Sequence, residues 1–183
     1  MTGGAPVSSR SEVRYAEGAA LWAFAFAGIS FYWAAGGTFG ANSIGTQIES
    51  YASSVPGFVI VLWVDAVLKS LLGVLALALI FPSWGRELPG RAYLPPIAWG
   101  AGLAMAAYGA VELSVTGLSA LLMATGVLAP SPKVDWVGIA GHLALWDPYW
   151  LLGGFLFLFA AQTAGARIRG QIIRWIRPAS HVR

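Results

Sequence analysis

Of the chain's 183 residues, 57% are hydrophobic and only 10% are charged, far from the usual make-up of a water-soluble domain. The absence of Cys excludes disulfide staples, thiol redox chemistry and thiolate metal sites. The two His residues, His142 and His181, lie too far apart in sequence for a multi-histidine centre in one chain. The formal net charge of +3 sits in clusters that flank apolar runs, which argues against nucleic acid as a partner and, with a mean hydropathy of +0.69, for a lipid bilayer.

The N-terminal stretch carries Arg10, Glu12, Arg14 and Glu17, a charge mixture unlike that of a cleavable signal. About 20 apolar residues cross a bilayer core as a helix. Four runs reach that length, at roughly 18–40, 57–81, 97–128 and 148–166. The expected fold is therefore all-α: one integral membrane domain, a bundle of four transmembrane helices. The third run is longer than a span needs, so it tilts or projects beyond the membrane.

Between the first two runs, Ile44, Ile48, Tyr51 and Val55 recur at helical spacing among polar residues. This suits a short amphipathic helix on the interface, ended by Pro56; an irregular polar loop fits equally. In the connection before the last run, Asp135 is placed to cap a short helix. Asp147–Pro148 then reads as the start of the last span, an acidic N-cap followed by Pro at the first helical position. The basic tail beyond residue 166 places Ile168, Ile172, Trp175 and Ile176 on one side with Arg around them, a pattern suited to anionic lipids or to a plain stop-transfer flank.

Orientation follows from the basic residues. Arg10, Arg14, Arg86, Arg91, Arg167, Arg169, Arg174, Arg177 and Arg183 fall at the two ends and in the second connection, whereas the first and third connections hold only Lys133. The positive-inside rule then places both termini in the cytoplasm.

Three ionisable residues interrupt the apolar runs. Asp65 and Lys69 are four apart, on one helix face, and Glu112 lies in the third run. Such groups inside a membrane segment are a functional hypothesis by default. At about 1.5 Å of rise per residue, Glu112 lies about 22 Å along its run, near the depth of Asp65, so the three are able to meet. Two carboxylates and one ammonium leave one carboxylate without a counter-ion, the chemistry of a proton-coupled carrier. The alternative is structural: Asp65 and Lys69 neutralise each other, and Glu112 is satisfied by a hydroxyl such as Ser70, Ser114 or Thr116. His142, near Asp135 and Asp147 in sequence, is either a proton-accepting partner of a carboxylate or an interfacial hydrogen-bond donor. No phosphate loop, nucleophile elbow, dinucleotide fingerprint or zinc-ligand spacing occurs, and no cofactor or metal is expected.

Tyr32-Trp33-Ala34-Ala35-Gly36-Gly37 recurs as Tyr149-Trp150-Leu151-Leu152-Gly153-Gly154. With four spans both copies fall near the outer surface, where Tyr and Trp prefer to sit. The glycines, including the Gly36–Gly40 spacing, suit close helix packing. Tyr32, Trp33, Tyr149 and Trp150 either anchor the interface or line an aromatic mouth between the first and last helices.

These two motifs, with Asp147–Pro148, resemble an uncharacterised family of small four-helix bacterial membrane proteins known only as a domain of unknown function. The resemblance implies a four-helix integral membrane protein and transfers no activity; with the composition and charge pattern, the expected location is a bacterial inner membrane. Small multidrug transporters also have four spans, but they are shorter and carry their key Glu in the first helix, where this chain has no acidic residue in the core of the span.

Three functional readings follow. In the first, a non-enzymatic membrane protein binds a small or lipid-like ligand, or a membrane partner including a second copy of itself, in its outer half. In the second, a proton-linked carrier uses Asp65, Lys69 and Glu112. In the third, a membrane enzyme acts on a lipid or isoprenoid through Asp65, Glu112 and His142.

Overall fold

In a computed structural model of the chain, the residues described are 10–45, 50–51, 54–55, 57–80, 90–131 and 134–176. Their structure is helical, with no strand among them. The first long helix, α1, is Arg10–Ala34, followed by a 3-10 turn at Ala41–Ser43. The second, α2, is Phe58–Ile80. After a 3-10 turn at Arg91–Tyr93 comes α3, Leu94–Ala124, with Pro95 and Pro96 in its first turn, where the missing N–H groups cost nothing. A short helix, α4 (Trp136–Gly141), passes through a π-helical turn at His142–Trp146 directly into α5, Asp147–Ile176.

Three stretches are long and apolar enough to cross a membrane: Phe58–Ile80, Leu94–Ala124 and Trp136–Arg167. The α1 helix is not among them, although its 25 residues would extend about 37 Å. Its first two turns carry Arg10, Glu12, Arg14 and Glu17, which shortens the apolar part. It packs between α2 and α5, while α3 packs chiefly on α5. Its buried residues are mostly small: Ala16, Ala19, Ala20, Ala23, Ala27 and Ala34, with Trp22 and Phe26 as the large fillers. A helix covered by protein on two sides needs less apolar bulk than one facing lipid. The outward faces of α2 and α3 carry that bulk instead, with Ile60, Val61, Val64, Leu68 and Leu71 exposed on α2 and Val111, Val115, Leu118 and Leu121 on α3.

Glycines set the α3–α5 contact. A Cβ on Gly102 would lie 2.8 Å from Gly154 O, and one on Gly109 would lie 2.9 Å from Asp147 O. A Cβ on Gly154 itself would strike the backbone of Ala106, so the two helices approach at their main chains.

The structure departs from the expected boundaries most at the first and last runs, and the third is shifted to Leu94–Ala124 from 97–128. The first helix begins eight residues earlier, at Arg10, and ends at Ala34, short of the 18–40 expectation. Gly36 and Gly40, both at positive φ, form the turn that follows, so their four-residue spacing is not a helix-packing stripe. The last helical run begins at Trp136, not at Pro148. Asp135 does cap it, accepting a 2.9 Å hydrogen bond from Gly138 N, but Asp147 has helical torsions and caps nothing. The π turn widens the helix just before Pro148, whose ring and missing N–H would otherwise break it. Ile48 and Pro56 of the first-connection pattern, and the side chains of the basic amphipathic tail, lie outside the described residues.

Candidate functional site

The Asp65–Lys69 pair faces α1. Lys69 Nζ donates to Asp65 Oδ2 at 2.6 Å and to Ser30 Oγ at 2.9 Å, and Ser30 Oγ donates to the same carboxylate oxygen at 2.8 Å. The Lys69 ammonium also lies 3.6 Å from the centre of the Phe26 ring and 5.6 Å from that of Trp150. A buried ammonium thus has a carboxylate, a hydroxyl and an aromatic face around it. Burial is uneven: the Lys69 side chain is 8% exposed and that of Asp65 41%. Ser30, a small polar residue in an apolar helix, carries no signal in the sequence beyond its polarity.

Glu112 does not join them. Among the described residues, no hydrogen bond or ion pair links it to Asp65 or Lys69. It stands one helical turn beyond Tyr108, whose hydroxyl lies within electrostatic reach of both Glu112 and Asp147. The Tyr108 ring packs edge-on against Trp150 at 5.2 Å, so aromatic rings connect the Glu112 side of α3 to the Lys69 side of α2. Two of the three expected hydroxyl partners are committed elsewhere: Ser70 Oγ donates to Ala66 O and Ser114 Oγ to Ala110 O, each within its own helix.

His142 pairs with Asp147. Its Nδ1 lies 2.8 Å from Asp147 Oδ1, and its Nε2 lies 3.1 Å from Ile44 O in the turn after α1. The π turn brings this about, since residues five apart face each other there rather than four apart. Trp146 strengthens the same junction by donating from Nε1 to Ser43 Oγ at 3.0 Å.

The four aromatic residues of the repeated motif divide into two sets. Tyr32 and Trp33 secure the exit from α1: Trp33 Nε1 donates to Phe39 O at 3.0 Å, and Phe39 N donates to Tyr32 Oη at 3.3 Å. Tyr149 and Trp150 pack in the core. Tyr149 stacks on Trp22 at 5.2 Å, donates from Oη to Trp22 O, and accepts from Trp22 Nε1 at its own carbonyl. Trp150 meets Phe26, Trp22 and Tyr108 edge-on. Among the described residues, no ring contact joins Tyr32 to Tyr149 or Trp150. Nor does any group of three or more His, Cys, Asp or Glu stand close enough to hold a metal ion.

Residues 23–157 match the family model described as Protein of unknown function (DUF3995). The chain belongs to this family. The match runs from the middle of α1 into α5. It therefore takes in both copies of the Tyr-Trp motif, the Ser30–Asp65–Lys69 cluster and the His142–Asp147 pair. Comparison with the curated proteins and with the solved structures gives no match.

Proposed function

We propose that the chain is a non-enzymatic integral membrane protein that binds a small or lipid-like ligand in its outer half, against the exposed apolar surfaces of α2 and α3. In this reading α1 joins the other three helices to make a four-span bundle in a bacterial inner membrane. Both termini are cytoplasmic, and the basic tail rests on anionic lipid.

The observation that carries the reading is where burial stops. On α2 every buried residue lies at Ala66 or beyond, and on α3 every one lies at Gly109 or before. Those halves adjoin the 81–93 connection. The other halves, 58–65 and 110–124, bury nothing fully. Asp65 stands at that boundary, half-exposed, beside the apolar side chains of Val61 and Leu68. A carboxylate–ammonium pair at the foot of an uncovered apolar wall suits an amphiphile with one polar end.

Native mass spectrometry of the protein extracted in mild detergent tests this. Wild type is expected to retain one small molecule or lipid per chain, and Asp65→Asn to retain less than a tenth as much. A wild-type spectrum showing only a graded series of bulk lipids would overturn the reading.

The carrier reading rests on Glu112 lying half-buried across Tyr108 and Trp150 from Lys69. Under it, Glu112→Gln abolishes ligand uptake driven by a proton gradient into vesicles. Unchanged uptake would contradict it.

A further inference from the structure

We infer that His142 and Asp147 form a one-proton binding site that fastens the turn after α1 to the π-helical turn between α4 and α5. A carbonyl oxygen can only accept, so the 3.1 Å contact with Ile44 O requires a proton on His142 Nε2. The 2.8 Å contact between Nδ1 and Asp147 Oδ1 also requires a proton between them. A neutral imidazole facing an ionised carboxylate has only one proton for these two contacts. The observed pair therefore holds one more, either as imidazolium beside carboxylate or as neutral imidazole beside carboxylic acid. Exchanging the ring nitrogens changes nothing, because both sides present acceptors.

The surroundings make this proton matter. Asp147 is 1% exposed, and its Oδ2 has no hydrogen-bond partner. A bare carboxylate oxygen without a donor is costly to bury, so the contact with His142 is the one the Asp147 side chain has. Loss of the proton leaves two outcomes. If Nε2 keeps its hydrogen, the Nδ1 lone pair faces a buried carboxylate and the two repel. If the hydrogen moves to Nδ1, the bond to Ile44 O is lost. Either way one side of the junction opens.

The junction has little slack. A Cβ on Gly141 would collide with Ser43 O, so the two backbones are in contact. Trp146 reaches Ser43 from the same turn. The ionisable groups on the neighbouring elements are Tyr108 and Glu112 on α3, Asp135 at the start of α4, and the Asp65–Lys69 pair on α2 beyond Phe26 and Trp150. The 41–45 turn itself contributes none.

The chain lacks native Cys, which makes spin labelling direct. Labels on Asn42→Cys and Ala140→Cys, both exposed, report the separation of the two turns through dipolar broadening. In lipid nanodiscs the broadening is expected to be strong in acid and to fall at least twofold in alkali. Asp147→Asn can donate an amide N–H to Nδ1 while Nε2–H still reaches Ile44 O, so it mimics the protonated pair. This variant should stay broadened at both extremes, and His142→Phe should be weak at both. A pH-independent wild type, or an Asp147→Asn variant that responds to pH as wild type does, overturns the proposal. A second readout needs no variant at position 142 or 147. In the histidine nitrogen NMR spectrum of the whole chain, assigned with His181→Gln, both ring nitrogens of His142 should be hydrogen-bonded in acid. A free ring lone pair there also overturns it.

Discussion

At the scale of single residues, the charge in α2 is arranged asymmetrically. Lys69 is buried and depends on Asp65, whereas Asp65 is half-exposed and retains Ser30 if Lys69 is removed. Asp65→Asn should therefore destabilise the protein by about 2–4 kcal/mol, because it leaves the buried Lys69 ammonium without its carboxylate. Lys69→Met should cost less, since it also removes the need to bury an ammonium. The double variant should lie closer to wild type than Asp65→Asn alone. Thermal unfolding in detergent measures all three, and strictly additive losses would show that the pair is not coupled. The i, i+4 spacing made this contact readable from sequence, because a helix forces two such groups together. Ser30 was not readable, since it comes from another helix and only packing selects it.

At the scale of elements, α2 is a helix close to its expected bounds because a long run broken only by a pair four residues apart, which one helix face accommodates, has one interpretation. The last helix departs from its expected bounds. Asp147–Pro148 has the chemistry of a helix start, yet the π turn absorbs the proline and Asp147 turns to His142 instead. Local signals describe what a segment tolerates, and tertiary contacts choose among those options. The α3–α5 contact gives a clean test of close approach. Gly154→Ala places a methyl against the Ala106 backbone and should destabilise by about 1–3 kcal/mol. Gly100→Ala, on α3 with nothing within 4 Å of the new methyl, should instead stabilise by up to about 1 kcal/mol through helix propensity. Equal effects of the two would contradict the packing described here.

At the scale of the whole molecule, α1 packs against α2 and α5, and on our reading it spans the membrane with them. The distribution of Arg, by the positive-inside rule, is the basis for proposing that both termini are cytoplasmic. In intact cells an impermeant thiol reagent should label Thr38→Cys and Val127→Cys, and should label His181→Cys only after the membrane is opened. Labelling of His181→Cys in intact cells would reverse the topology.

The ligand site in the half of the membrane away from the 81–93 connection is the central claim, and photo-crosslinking from neighbouring positions tests it most directly. Val61 lies on the Asp65 side of α2 and is 58% exposed, whereas Ile60, at the same depth and 66% exposed, points away. A photoreactive residue at 61 should capture one species of defined mass, and at 60 a mixture that follows the bilayer composition. The same lipid mixture at both positions would contradict a specific site.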